Sequence, residues 1–140
     1  MKRYTKVLTA AFVLVLLIGV CGGFGHASSK VRIALVLAST TDDMAWSQSM
    51  YEALLALQNQ LGKDKMELVV SERLGNPVDA GAAIRQYADQ GFDIVIAHGA
   101  QFQAVVFEVA EDFPKTSFAY GSAFKAAPNV FAYEPLAQQG

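Results

Sequence analysis

With 140 residues, the chain has room for one domain of ordinary size, and 53% of the residues are hydrophobic, enough to bury a core. The formal charge is −2 and basic residues do not cluster beyond Lys6, which argues against nucleic acid as a partner. Cys21 is the only cysteine, so the chain downstream of it has neither a disulfide nor thiol chemistry.

The beginning of the chain has the pattern of an export leader. A basic start precedes an almost wholly apolar stretch, residues 7–21, which is too short to span a bilayer comfortably. The small residues of Gly25-His26-Ala27 favour cleavage before Ser28, and lipid attachment at Cys21 is the alternative. We therefore predict a signal peptide at residues 1–27 and an exported chain, in the periplasm or on the outer face of the cell membrane.

Beyond the leader, short apolar runs alternate with segments of helical periodicity. The runs predict strands at Val31–Leu37, Met66–Val70, Phe92–Ala97, Ser117–Tyr120 and Val130–Ala132. Amphipathic segments between the first four runs predict helices that end near Leu61, Gly91 and Pro114. The predicted fold is α/β, a doubly wound parallel sheet in strand order 2-1-3-4-5 with helices on both faces.

The turns at the carboxyl ends of the predicted strands carry the polar residues. Ser39–Asp43 follows the first strand, Trp46 comes one helical turn later, and His98–Gln101 follows the third strand. Such turns meet at one edge of a parallel sheet, where open α/β sheets bind ligands. The residues there can hydrogen-bond a polar ligand and stack on a flat one. The alternatives are that Asp42 or Asp43 caps the helix and that Trp46 belongs to the core.

The sequence offers little support for catalysis. It contains no Gly-x-Ser-x-Gly elbow and no Gly-rich phosphate loop. His98 is the only histidine after the leader, and no second His or Cys completes a metal site; it is equally interpretable as a rim histidine bonded to the backbone. A receiver domain would need an aspartate where Ala97-His98-Gly99 stands. We expect no enzymatic activity, no metal and no cofactor.

Two motifs stand in order along this predicted fold: Asp43–Gln48 (DMAWSQ) and Ala97–Phe102 (AHGAQF). With their flanking segments they resemble the basic membrane protein (BMP) family, the substrate-binding lipoproteins of ABC importers that include purine nucleoside receptors. The resemblance covers about Val31 to Gly140. Family members carry glycine at the first position of the second motif, and phenylalanine and asparagine where this chain has Trp46 and Ser47.

The resemblance implies a type I periplasmic-binding-protein fold, with residues 28–140 as its N-terminal lobe and the second lobe absent. It implies a solute-binding component of an ABC import system, with a nucleoside as ligand and permease subunits as partners. Membrane association would depend on a lipid at Cys21. A sensing lobe without transport, and a sugar ligand, are the alternatives. By the resemblance, the ligand-binding residues are Asp43, Trp46, Ser47, His98, Gly99 and Phe102.

Overall fold

The computed structural model describes residues 29–122 and 124–134, so the predicted signal peptide and the last six residues lie outside the described part. The chain alternates between strands and helices throughout that part. The strands are β1 (Val31–Leu37), β2 (Met66–Ser71), β3 (Ile94–His98), β4 (Ser117–Gly121) and β5 (Val130–Tyr133). The helices are α1 (Trp46–Leu61), α2 (Pro77–Asp89) and α3 (Gln103–Asp112), the last preceded by a 3-10 turn at Ala100–Phe102.

The five strands form one sheet in the order β2-β1-β3-β4-β5, and every neighbouring pair is parallel. The predicted fold class and strand order are therefore confirmed. The bounds of β3 differ from the prediction, because the strand begins at Ile94 and includes His98. The Phe92 amide donates to the Tyr87 carbonyl and thereby ends the preceding helix, while His98 pairs with Leu37 at the carboxyl end of β1.

Helices cover the two faces of the sheet unequally. Helices α2 and α3 pack on one face and bury an extended core with β1, β3, β4 and β5. Helix α1 packs on the other face over β1 and β2, where Leu54 contacts the cluster around Leu35. In the part of the chain that the structure describes, no further helix lies on that face. Phe131 of β5 is consequently 55% exposed, although Phe118 on the adjacent strand is fully buried on the opposite face.

Helix α2 begins as its sequence predicts. The Asn76 side chain accepts a hydrogen bond from the Val78 amide at 2.9 Å, and Pro77 occupies the first helical position. Asp79 lies in the first turn, where the helix dipole favours a negative charge. The capped start of α2 determines where the loop after β2 ends, and so positions that loop at the carboxyl edge of the sheet.

Two phenylalanines on adjacent strands test the assignment of the faces. Phe118→Ala should lower the free energy of unfolding by about 3–5 kcal/mol, the usual cost of truncating a buried aromatic. Phe131→Ala should cost roughly 1 kcal/mol, because only part of its surface is removed from water. Urea unfolding followed by far-UV circular dichroism measures both values, and equal costs would contradict the two-face assignment.

Candidate functional site

Backbone strain is concentrated at the carboxyl edge of the sheet. Met44, Arg73 and Ser122 are the non-glycine residues with positive φ among the described residues, at 56°, 60° and 56°. They follow β1, β2 and β4 in turn. Residues other than glycine rarely adopt this conformation, and such residues cluster at functional sites. The strain therefore marks the same edge as the polar turns predicted from the sequence.

Asp43 holds the beginning of α1. Its Oδ1 accepts hydrogen bonds from the amides of Ala45 at 2.9 Å and Gln48 at 3.1 Å, and its Oδ2 accepts one from Ser47 at 3.3 Å. Burial raises the pKa of this carboxyl, but the hydrogen bonds from these amides outweigh burial and lower the pKa overall. The ionised carboxylate caps the first turn of α1 from two residues before the N-cap position, Ala45, and capping was the alternative to a ligand contact. Its oxygens keep further lone pairs for a second partner.

The loops after β1 and β2 are joined by a contact that the sequence did not reveal. Glu72 accepts a hydrogen bond from the Thr41 amide at 2.6 Å. Hydrogen bonds from the Thr41 side chain and backbone lower the pKa of Glu72, so its carboxylate stays charged beside Asp42. The edge near β1 is therefore acidic, which suits a ligand that offers hydroxyl or amine donors.

Trp46 and His98 contact each other through stacked rings and through two hydrogen bonds, one from each side chain to the backbone of the other residue. Their rings stack with centroids 4.1 Å apart and planes 11° apart. The Trp46 indole N–H donates to the His98 carbonyl at 3.3 Å, and Nε2 of His98 lies 2.9 Å from the Trp46 carbonyl. One indole face is thus occupied by the imidazole, and the half-buried Trp46 is neither a full core residue nor a freely exposed one.

Tyr133 extends this stack from β5, the last strand of the sheet. Its hydroxyl lies 2.5 Å from His98 Nδ1, and the two rings are nearly parallel with centroids 5.9 Å apart. Gly121 leaves room for both outer rings, since a Cβ there would lie 2.9 Å from atoms of the Trp46 and Tyr133 rings. A shallow cavity of about 200 Å³ opens beside the stack; it is lined by Trp46, Ser49, Met50, Ala53, His98 and Tyr133.

Both titratable members of the stack are held neutral. Burial lowers the pKa of His98, although the bond to the Trp46 carbonyl and the charge of Asp43 act in the opposite direction. Burial also raises the pKa of the Tyr133 hydroxyl far above its usual range. The cavity is therefore bordered by uncharged groups, among them the Ser49 hydroxyl, and the charge of Asp43 acts on His98 at its border.

The structure separates the predicted site residues into two groups. Asp43, Trp46, Ser47 and His98 lie together at the carboxyl edge, where Ser47 and His98 are only 2% exposed. Phe102 is fully buried in the core that α2 and α3 form with the sheet. Gly99 is buried at the beginning of the 3-10 turn. Asp43 and Trp46 are the two of the six with appreciable exposed surface.

Tyr133 is the residue that the sequence analysis missed. The predicted last strand ended at Ala132, so Tyr133 was left out of the edge. A two-residue period continued from Phe131 would have placed it on the same face as His98. Across residues 29–122 and 124–134, no group of three or more His, Cys, Asp or Glu side chains is arranged to hold a metal ion. Over the same residues, no helix is long and apolar enough to cross a membrane.

The fold of this chain is similar to that of a solved solute-binding protein. An ABC transporter solute-binding protein of Conexibacter woesei superposes with a TM-score of 0.68 at 27% identity. The similarity covers 74% of this chain and 35% of that protein. The shared part is thus a single α/β unit of a larger molecule.

Two curated relatives are similar in sequence. A transcriptional activator protein of Bacillus subtilis is 25% identical over 123 residues, which are 88% of this chain and 38% of that protein. A protein of Haloferax volcanii described as an ABC transporter glucose-binding protein is 28% identical over 112 residues, 80% of this chain and 28% of that protein. The chain therefore spans about a third of the length of the curated relatives it matches.

The sequence profile of one family covers nearly all of the described structure. It matches residues 30–139 and represents the PnrA-like ABC transporter substrate-binding proteins. Proteins of this kind bind solutes rather than transform them, and they typically act outside the cytoplasm. This chain belongs to the family of PnrA-like ABC transporter substrate-binding proteins.

Proposed function

We propose that this chain is an exported solute-binding lobe of an ABC import system and that its ligand is a purine nucleoside. The observation that supports the ligand best is Trp46, a half-buried indole beside a cavity at the carboxyl edge of a parallel sheet. Stacking a base on an aromatic side chain contributes about 1–3 kcal/mol. An indole with one face covered by His98 offers its other face to a base.

The hydroxyl groups of the ligand would be held by Asp43. Its carboxylate already accepts three backbone hydrogen bonds, which keep it ionised and fixed in orientation. The lone pairs that remain can accept bonds from a ribose diol. Tyr133 adds an aromatic border to the same cavity. Ser47, Gly99 and Phe102 are buried and would act by shaping the edge around the two half-buried contacts.

A sensing lobe without transport is the second candidate. The Bacillus subtilis relative is described as a transcriptional activator, and it matches 88% of this chain. A sugar is the second candidate for the ligand, because the Haloferax volcanii relative is described as glucose-binding. Titration with a purine nucleoside, a pyrimidine nucleoside and glucose separates the ligand classes, and solute uptake in a strain that lacks this chain separates transport from sensing.

Replacing Trp46 should weaken nucleoside binding. Inosine added to the protein should change the emission of Trp46, the only tryptophan, in a saturable manner that glucose does not reproduce. Trp46→Ala should cost about 1–3 kcal/mol of binding free energy, and Trp46→Phe should retain most of it, because a phenyl ring still stacks. Equilibrium dialysis with labelled inosine measures the affinity of all three proteins.

The alternative that Trp46 acts only in packing makes a different forecast for the same variants. Trp46→Ala would then lower the free energy of unfolding by about 3–5 kcal/mol and leave the affinity of the folded protein unchanged. Thermal melting and dialysis on one sample distinguish the two. Destabilisation with intact affinity would end the assignment of Trp46 as a ligand contact.

Asp43 and its neighbour Asp42 form a matched pair. Asp43→Asn should weaken inosine binding and also lower the melting temperature, because a neutral amide loses one acceptor oxygen and the charge favoured at the beginning of α1. Asp42→Asn should change neither, since its side chain is exposed. Calorimetry and dialysis provide the measurements. A lower melting temperature with unchanged affinity would assign Asp43 to capping alone.

Export predicts a processed N-terminus. The intact mass of the protein from the cell envelope should correspond to a chain that begins at Ser28 or at a lipid-modified Cys21. A Cys21→Ala variant should keep the first form and lose the second. An envelope fraction that contains only the chain beginning at Met1 would contradict the proposed export.

A further inference from the structure

His98 is almost completely buried, and each of its polar groups has a partner within the protein. We propose that His98 is a positioning residue that sets the plane of the Trp46 indole, with Tyr133 selecting the tautomer that allows this. The inference rests on the proposed role of Trp46 as the ligand-stacking ring. It assigns to His98 and Tyr133 a task that differs from touching the ligand.

The reciprocal contacts leave the indole little freedom. Rotation of the Trp46 side chain about either of its bonds would break the bond from its N–H to the His98 carbonyl and separate the stacked rings. The imidazole is itself tied to the backbone of Trp46 through Nε2. The end of β3 and the first turn of α1 are thereby joined through two residues, Trp46 and His98, that are 52 positions apart in the sequence. The indole is thus held in one orientation.

Chemistry determines which ring nitrogen of His98 carries the proton. A carbonyl oxygen only accepts, so the Nε2 that faces the Trp46 carbonyl must carry the hydrogen. In the neutral ring, Nδ1 is then an acceptor, and the Tyr133 hydroxyl must donate to it. The arrangement satisfies all these groups only in the Nε2–H tautomer. Without the Tyr133 hydroxyl, no donor among its described contacts would hold Nδ1 in the acceptor state.

Protonation of His98 is opposed by its surroundings. Burial lowers the pKa, while Asp43 at the beginning of α1 and the Trp46 carbonyl raise it; Tyr133 on β5 is neutral, and Gly121 on β4 brings no charge. The folded protein therefore binds this proton less readily than the unfolded chain, in which the pKa of the histidine is 6.5. The neutral His98 ring makes its full contribution to the free energy of unfolding above pH 6.5. This contribution is lost as the pH falls from 6.5 towards the lowered pKa.

The first test uses the unaltered protein. In a ¹⁵N NMR spectrum of the histidine rings, His98 should show a protonated Nε2 and an unprotonated Nδ1, with His26 assigned by comparison with a His26→Ala variant. Titration of His98 to low pH should change the Trp46 emission with the same midpoint, because the stacked ring acquires a charge. A protonated Nδ1 in the neutral ring, or two unrelated midpoints, would overturn the proposal.

The second test uses matched variants and the near-UV circular dichroism of Trp46, which depends on a fixed indole orientation. Tyr133→Phe should raise the pKa of His98 and weaken the Trp46 signal, although only one oxygen is removed. His98→Phe keeps a ring and loses both hydrogen bonds, and should weaken the signal further. Tyr87→Phe removes a hydroxyl bonded to Ser71 on a residue that packs against the core under α2 and α3, and should leave the Trp46 signal unchanged.

The outcomes separate this inference from the proposed function. A weakened Trp46 signal with roughly tenfold weaker inosine binding supports both. A weakened signal in a protein whose unaltered form binds no nucleoside supports the positioning role and removes the ligand assignment. Unchanged Trp46 signals in Tyr133→Phe and His98→Phe, even with lower melting temperatures, would reduce His98 to a packing residue. If His98→Phe does not fold, Tyr133→Phe and the tautomer of the unaltered protein decide.

Discussion

Strand β1 is the constraint on which the rest of the structure depends. It is hydrogen-bonded to β2 on one side and to β3 on the other, and Ile33–Leu37 are buried beneath helices on both faces. A parallel strand in this position has no freedom of register, because a shift of one residue would exchange its two buried faces. The loop after β1 is therefore held at the middle of the carboxyl edge, between the loops after β2 and β3.

That placement determines what the edge can do. Asp43 caps α1 from the loop after β1, and the capped first turn carries Trp46 towards the end of β3. There it meets His98, and Gly121 and Tyr133 complete the stack from β4 and β5. Helix α1 and strands β3 and β5 each contribute one ring to the stack, and Gly121 of β4 leaves the space that two of the rings occupy. The aromatic stack is thus assembled from residues that are distant in the sequence.

The groups proposed for recognition at this edge also stabilise the fold. The Asp43 carboxylate both accepts hydrogen bonds from the first turn of α1 and acts on His98 through its charge, and the Trp46 indole is both packed against His98 and partly exposed. Any substitution at these positions changes the folded state as well as the site. A change in ligand affinity at these positions must therefore be compared with the free energy of unfolding of the same variant.

The sequence alone determined the architecture. The apolar runs alternating with helical segments, joined by short turns, predicted a parallel sheet in the order 2-1-3-4-5, and the structure has that order. The sequence also located the edge, because polar turns followed Leu37 and the third strand. The resemblance of Asp43–Gln48 and Ala97–Phe102 to a family motif predicted the family that the profile match established. The strands, the polar turns and the family motifs could all be predicted because each depends on residues that are neighbours in the sequence.

Only the tertiary structure decided what each edge residue contacts. The sequence placed Phe102 beside His98, but the 3-10 turn directs Phe102 into the core on one face while His98 lies on the other. It could not reveal that Tyr133 bonds to His98, since the two are 35 residues apart and meet only when β4 lies between their strands. The bond that selects the histidine tautomer is a cross-strand contact, and such contacts depend on how the chain folds back on itself rather than on any pattern of neighbouring residues.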